Sequence, residues 1–121
     1  MTDRARVVVV SPDEATRALV RLTLGEDRYE VVDHGSLDEA VRGIATATPR
    51  VLILDLALAG DALPLARTLR EQPETADIRT LILAHRGTQA PTEAAGVDAT
   101  LVVPATAFAL LRKVDGLSAD G

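Results

Sequence analysis

Five short runs of β-branched or leucine-rich residues alternate along the chain with segments of helical periodicity. The runs predict strands at residues 7–10, 30–32, 51–54, 80–83 and 101–103. Three of them are continuously apolar, which is typical of parallel strands that helices cover on both faces. Strands separated by helical crossovers form parallel sheets with right-handed connections. The alternation therefore predicts an α/β, doubly wound fold with a five-stranded parallel sheet.

The segment after the first predicted strand, Ser11-Pro12-Asp13-Glu14, has the residue order of a helix start. Ser11 is the predicted N-cap, with Pro12 in the first helical position and acidic residues in the first turn. This interpretation favours a capping role for Asp13 and Glu14 over that of a displaced metal-binding pair. The apolar face of the helix is predicted to contain Ala15, Ala18, Leu19 and Leu22.

Similar signals predict the remaining helices. Ser36 and Glu39 have the spacing of a capping box, and Pro64 suits the first turn of a third helix. The last helix is predicted over residues 106–117, with Phe108 mainly as a core residue. Between the fourth and fifth strands, Pro91 leaves space for about one helical turn, near residues 92–95, so this helix is expected to be shortened. The inward-facing residues are predicted to be Leu37, Ala40, Val41 and Ile44 in the second helix, Leu65, Ala66 and Leu69 in the third, and Ala107, Leu110, Leu111 and Val114 in the last.

Length and composition restrict the possible functions. A chain of 121 residues suits one domain, 1–121, and residues 118–121 are expected to be a frayed tail or the start of a linker. The lack of cysteine excludes disulfides and thiolate metal sites. A net charge of −5 and a single Tyr and Phe oppose direct nucleic-acid binding. No apolar run is long enough to cross a membrane. We therefore expect a soluble, cytoplasmic domain.

The carboxyl edge of the predicted sheet is the expected place of a functional site, because open parallel sheets bind ligands there. The residues at this edge are Ser11, Pro12, Asp55, Ala84, His85, Val103 and Pro104. Asp55 is the one carboxylate among them. Mg²⁺ prefers several oxygen ligands, so a single carboxylate makes a poor site. Asp13 and Asp55 are only weak metal candidates, and no bound metal or other cofactor is expected.

Several of these residues fall within motifs that extend over nearly the whole chain. The motifs are residues 7–17 (VVVVSPDEATR), residues 49–56 (PRVLILDL), Gly60, residues 76–78 (ADI), residues 96–99 (GVDA) and Pro104. In this pattern the chain resembles a response-regulator receiver domain. The resemblance implies the flavodoxin-like strand order 2-1-3-4-5, with the fifth strand at an edge of the sheet.

In receiver domains, the aspartate that ends the third strand accepts a phosphoryl group from a histidine kinase, and Asp55 occupies that position. The family also has an acidic pair that binds Mg²⁺, a Ser or Thr that contacts the phosphoryl group, and a Lys that pairs with it. Here Ser11 and Pro12 replace the acidic pair, Ala84 replaces the hydroxyl residue, and Val103 replaces the lysine. These groups neutralise phosphoryl charge. Their replacement predicts that Asp55 is a vestigial phosphoacceptor.

Two further features follow from the resemblance. Thr100 occupies the position of the aromatic switch residue, so the usual switching device is missing. Receivers also commonly contact partners through the fourth helix, fifth strand and fifth helix. The corresponding partner surface is expected around Ala90, Leu101, Val102, Phe108 and Arg112.

Three functions remain open at this point. The first is an atypical receiver, not an enzyme, that acts by contact with a protein partner, a fused output domain or a second copy. The second is a receiver phosphorylated on Asp55, and only this function requires Mg²⁺. The third is a receiver-like domain that senses a small ligand in its emptied pocket. Fold alone does not choose among them.

Two expectations concern single residues at the edge. His85 is expected to be solvated, with the supply of positive charge beside Asp55 as the alternative. Asp55 itself is a vestige, a carboxylate bonded to nearby backbone, or a live acceptor. The Asp55→Asn variant is expected to be as stable as the unaltered chain or slightly more stable. A partly buried carboxylate without metal or lysine keeps its desolvation cost.

Overall fold

Five parallel strands form one sheet in the order β2-β1-β3-β4-β5. The computed structural model describes residues 4–57, 62–86 and 97–119. Its elements are β1 (Ala5–Val10), α1 (Glu14–Leu24), β2 (Tyr29–His34), α2 (Leu37–Thr46), β3 (Val51–Asp55), α3 (Ala62–Glu71), β4 (Arg79–His85), β5 (Ala99–Val103) and α4 (Ala107–Ala119). The predicted fold class, strand order and edge position of β5 are confirmed.

The core consists of two layers, one on each face of the sheet. Val7 and Val9 of β1 face α1 and α4, whereas Val8 and Val10 face α2 and α3. This division follows from the alternation of side chains along a strand. It also explains why β1 and β3 are apolar at almost every position. Each fully buried aliphatic side chain contributes about 1.5–3 kcal/mol through removal from water.

The buried face of α1 differs from the predicted one. Val20 and Leu24 are buried, whereas Leu19 and Leu22 are 48% and 82% exposed, and Ala15 is also exposed. The stripe that faces the sheet has the helical spacing 17, 20, 21 and 24, and two of its members are arginines. Both arginines pair with a single carboxylate at the end of β2, Asp33: Arg17 Nε lies 3.0 Å and Arg21 Nη1 2.7 Å from its Oδ2. Their apolar stems therefore cover the sheet while their charged ends reach Asp33.

The other helices agree with prediction at their starts and differ in single residues. Ser36 caps α2 through the amide of Glu39, whose own carboxylate accepts a hydrogen bond from the amide of Gly35. Pro64 lies in the first turn of α3. Val41 was predicted to face the core but is exposed, because the turn packed on the sheet carries Ala40 and Ile44. The other predicted inward residues of α2 and α3 are buried or partly buried against the core.

The last helix, α4, buries Leu110, Val114 and Leu117. The prediction of Ala107 and Phe108 as core residues is wrong. Ala107 is exposed, and Phe108 is 68% exposed, because it lies off the stripe of the helix that packs on the sheet. The helix includes residues 118 and 119, and the expectation of a frayed tail or linker start at 118–121 stays a prediction. The carbonyl of Ser118 accepts a hydrogen bond from Arg50 at 2.7 Å.

A carboxylate at the start of β5 joins three parts of the molecule. Asp98 Oδ2 accepts hydrogen bonds from the amide of Thr80 at 2.8 Å and from Arg70 of α3 at 2.6 Å. Arg79 lies 3.5 Å from the other oxygen, and the Asp98 amide donates to the Thr80 carbonyl at 2.9 Å. At the opposite end of the crossover, the Arg86 amide donates to the Val103 carbonyl at 3.1 Å. The shortened helix predicted near residues 92–95, and Ala90, lie outside the described residues.

No helix in the described part of the chain is both long enough and apolar enough to span a bilayer.

Candidate functional site

Asp55 is the last residue of β3 and lies at the carboxyl edge of the sheet. It is only 1% exposed, although it carries a titratable group. Its position follows from the topology, because β3 is the central strand and is flanked by β1 and β4. A buried carboxylate is costly unless hydrogen-bond donors surround it. The local structure supplies three of them.

Each oxygen of Asp55 is engaged. The Ser11 hydroxyl donates to Oδ2 at 2.7 Å, and the backbone amide of Ala57 donates to Oδ1 at 2.9 Å. His85 Nε2 lies 2.5 Å from Oδ1. The imidazole nitrogen donates in that contact in the tautomer that carries its proton on Nε2. The carboxylate is therefore compensated by a hydroxyl, an amide and an imidazole.

Ser11 is not the N-cap of α1, contrary to prediction. Its side chain is fully buried and turns towards Asp55, while its oxygen also accepts the Asp13 amide at 3.1 Å. Asp13 is the N-cap instead, and its carboxylate accepts hydrogen bonds from the Ala15 amide and the Thr16 hydroxyl. These bonds, the one from Thr16 foremost, lower the pKa of Asp13 below its usual value. Pro12 thus precedes the cap, and Asp13 is committed to α1.

His85 is the last residue of β4, and the expectation that it is solvated is wrong. Its side chain is partly exposed, and its ring nitrogen pairs with Asp55. The physical reason is its register: Asp55 pairs with Leu83 across the sheet, and His85 lies two residues further on. Side chains two residues apart point to the same face of a strand. The alternative role, a positive or hydrogen-bonding group beside Asp55, is the one that the geometry favours.

The other residues at the edge offer little polar chemistry. Ala84 is fully buried in β4. Val103, at the end of β5, packs against the core on the α1 and α4 face. Thr100 is partly buried within β5, and Pro104 is exposed after it.

A divalent cation fits this set of residues poorly. Asp55 supplies one carboxylate, and both of its oxygens already accept hydrogen bonds. Within residues 4–57, 62–86 and 97–119, no three histidine, aspartate or glutamate side chains are grouped closely enough to hold a metal ion. Mg²⁺ demands near-octahedral oxygen coordination, and the oxygens at this edge are bound to protein donors.

Comparisons with known proteins agree with the fold. The structure superposes on that of a putative response regulator from Chloroflexus aurantiacus J-10-fl with a TM-score of 0.87 and 27% identity, over 97% of this chain and 99% of the other. In sequence, the chain is 31% identical over 116 residues to the phosphate regulon transcriptional regulatory protein PhoB of Rhizobium meliloti (strain 1021). The chain is a response-regulator receiver domain.

The other comparisons concern the length of the relatives and the fold that they share with this chain. The aligned region covers 93% of this receiver domain but 51% of the PhoB protein, so the chain spans about half the length of that relative. The fold is also shared with the receiver domain of sensor histidine kinase PA1611 from Pseudomonas aeruginosa PAO1, whose structure has magnesium in the active-site cleft. There the TM-score is 0.83 and the identity 18%, over 97% of this chain and 99% of that one. A scan against models of protein families gives no match.

The structure therefore brings together Asp55, Ser11 and His85, and it separates Asp13 from them by assigning it to the cap of α1. Sequence reasoning missed the Ser11 contact and gave the His85 contact only as an alternative. A signal for them was present: both residues come at the ends of the strands that flank β3. In a parallel sheet these ends meet at one edge.

Proposed function

We propose that this receiver domain acts by constitutive contact with a protein partner and not by Mg²⁺-dependent phosphorylation of Asp55. The observation that carries the proposal is the engagement of the Asp55 carboxylate by Ser11, Ala57 and His85 in a site that is almost closed to solvent. Signalling modules of this kind transmit information by binding, so the proposal assigns no chemical reaction to the domain.

Phosphorylation would make heavy demands on this site. An oxygen of Asp55 would have to give up its present donors and form a bond to phosphorus as the leaving group departs. The transferred group carries charge on its equatorial oxygens, and catalysts neutralise that charge with metal ions and cationic side chains. In this chain Ala84 and Val103 occupy two of the positions from which family members supply such groups. Within the part of the chain that the structure describes, His85 is a nearby side chain that could supply part of that charge.

Phosphorylation of Asp55 is the second candidate function, and two observations favour it. Asp55 ends the central strand, and the resemblance to receiver domains implies the phosphoacceptor at that strand end. Ser11 and His85 are hydrogen-bond donors next to it, and they could turn towards phosphoryl oxygens. Under this alternative, Mg²⁺ would have to bind after the present hydrogen bonds are broken.

Chemical shifts of backbone amides test the first proposal. The chain would be titrated with Mg²⁺ and then with beryllofluoride, a mimic of the phosphoryl group, and acetyl phosphate would be tested as a donor with intact-mass detection. We expect no saturable shifts around Asp55 and no phosphorylated species. A positive control is the triple variant Ser11→Asp, Ala84→Thr, Val103→Lys, which restores the family's residue types and should respond. Saturable shifts in the unaltered chain that disappear in Asp55→Asn would establish the phosphorylated receiver instead.

A partner surface is proposed at β5 and the outer side of α4. Val102 and Phe108 are 47% and 68% exposed, and the Arg112 guanidinium lies 5.8 Å from the centre of the Phe108 ring. Strand β5 is an edge strand, and such an edge offers backbone groups for contact with another chain. Leu101 is partly buried against the core and supports this surface from beneath. Exposed aromatic and arginine side chains are the residue types that dominate binding energy at interfaces.

We commit to a second copy of the domain as the occupant tested first, although an output domain, as in a longer regulator, fits the same chemistry. Sedimentation equilibrium of Phe108→Glu and Arg112→Glu should show weaker self-association than the unaltered chain, with unchanged thermal midpoints. The matched control is Leu22→Glu, which places the same charge on an exposed leucine of α1. Association that Leu22→Glu weakens and Phe108→Glu leaves intact would place the interface on α1. A chain that remains monomeric throughout would refute self-association.

A further inference from the structure

A cleft of about 290 Å³ lies between the amino ends of α1 and α4, next to the end of β4. Its walls are mainly aliphatic, and the large aliphatic side chains among its lining residues are Leu19, Val20, Leu83, Leu101, Val103 and Leu110. Clefts between helices that are mostly apolar, with a few polar groups, are typical binding sites for small molecules.

The cleft is open because the residues around its entrance are small. Thr16, Ala105 and Ala107 contribute short side chains to the lining. The one phenylalanine of the chain, Phe108, is largely exposed and does not belong to the lining. An apolar cavity of about 150 Å³ is large enough for benzene. The volume of this cleft therefore suits a molecule with one ring and a short substituent.

Three polar residues also line the cleft. Asp13 lies at the rim, where its carboxylate serves as the cap of α1. Thr106 lines the cleft and accepts a hydrogen bond from the Ala109 amide at 3.0 Å at the start of α4. His85 also lines it, and this is the imidazole that contacts Asp55. The cleft thus has one polar corner that is connected to the buried carboxylate.

We propose that this cleft binds a small, uncharged, mainly apolar molecule that has one hydroxyl or carbonyl group directed at His85. Aliphatic walls penalise a charge of either sign because they cannot hydrate it. A neutral polar group can hydrogen-bond at the imidazole corner while the ring occupies the apolar part.

A ligand bound in this cleft would affect Asp55 through one side chain, that of His85. The His85 ring belongs both to the lining of the cleft and to the hydrogen bonds of Asp55. A ligand that contacts the imidazole changes the free energy of the His85–Asp55 contact, and linkage requires the contact to affect ligand affinity in turn. The inference does not require phosphorylation of Asp55, because it concerns an uncharged ligand and not a phosphoryl group.

Benzyl alcohol is a suitable probe, and benzoate and benzylamine are its charged counterparts of similar size. Titrations would be followed by amide and methyl chemical shifts of the full chain. We expect saturable shifts of residues around the cleft and of His85, with a dissociation constant on the order of 1 mM for benzyl alcohol. Benzoate and benzylamine should each bind about tenfold more weakly.

Two variants that add the same side chain at opposite ends of α4 provide the control. Ala107→Leu extends a side chain that lines the cleft and should weaken benzyl alcohol binding about tenfold. Ala119→Leu adds leucine at an exposed position outside the lining and should leave the affinity unchanged. Thermal melts of both variants establish that they fold. Absence of saturable shifts, equal affinity for the three compounds, or equal effects of the two variants would overturn the proposal.

Discussion

Replacement of Asp55 by asparagine and by alanine separates the charge of the buried carboxylate from its hydrogen bonds. In Asp55→Asn, the amide oxygen can still accept from the Ala57 amide and the His85 ring. The amide nitrogen would lie next to the Ser11 hydroxyl oxygen, which has a free lone pair for it. Asparagine thus preserves the geometry but removes the charge. Alanine removes all three contacts and leaves the fully buried Ser11 hydroxyl without its acceptor.

The magnitudes follow from the number of contacts. Hydrogen bonds to charged groups contribute about 1.5–3 kcal/mol and neutral ones about 0.5–1.5 kcal/mol. Conversion of three bonds to the neutral kind therefore costs about 3 kcal/mol, which the avoided desolvation of the carboxylate partly offsets. We expect a net loss of about 1–2 kcal/mol for Asp55→Asn. For Asp55→Ala we expect about 3–4 kcal/mol, because a buried donor without a partner adds to the lost bonds.

Urea unfolding at neutral pH measures both free energies by linear extrapolation. The loss of stability that we expect from the structure differs from the expectation from sequence. There, Asp55→Asn is neutral or stabilising because the carboxylate has no compensating hydrogen bonds. An asparagine variant as stable as the unaltered chain would show that desolvation outweighs the hydrogen bonds to Ser11, Ala57 and His85. Equal losses for the asparagine and alanine variants would show that these bonds do not depend on the shape of the side chain. Either result would refute the reasoning.

Three further changes test the packing, the capping and the ionisation described above. Leu24→Ala should lower the free energy of unfolding by about 3 kcal/mol and Leu22→Ala by less than about 0.5 kcal/mol; comparable urea midpoints would contradict the assigned face of α1. Ser36→Ala should cost about 1 kcal/mol through loss of the α2 cap, and an unchanged thermal midpoint would argue against that cap. Burial and the hydrogen bond to Asp115 raise the pKa of Tyr29 to about 12. The stability gained from this shift is complete below about pH 10, the pKa of an unfolded tyrosine, and is lost towards pH 12. Tyr29 is the one tyrosine of a chain without tryptophan, so a tyrosinate absorbance midpoint near pH 10 would contradict the shift.

Most of the fold could be predicted because buried strands are visible in the sequence as runs of apolar residues. β1 and β3 are covered on both faces, so their apolar runs are continuous and easily recognised. The face of α1 could not be found in the same way. Arg17 and Arg21 pack their stems on the sheet and direct their charges to Asp33, so a count of apolar residues at helical spacing selects the wrong stripe.

The candidate site shows a similar division. The place of Asp55 was predictable because it directly follows an apolar strand. The role of Ser11 was not, since two uses of one hydroxyl compete: a local cap and a bond to a residue 44 positions away. The distant bond prevails because Asp13 can cap α1, and among the described residues the hydroxyl that bonds Asp55 is that of Ser11. Local rules of helix starts contain no information about that competition.

The β4–β5 crossover is anchored by hydrogen bonds at both of its ends, and this affects where the chain can be engineered. Backbone hydrogen bonds fix Arg86 to Val103 and Asp98 to Thr80, and the Asp98 carboxylate fastens the same corner to α3. The register of β4 against β5 is therefore held from both sides, whatever the length of chain between them. The entropy of closing such a segment grows only by about 0.6 kcal/mol for each doubling of its length. An insertion between Arg86 and Asp98 would leave these anchoring hydrogen bonds in place, and we predict that the sheet then keeps its alignment.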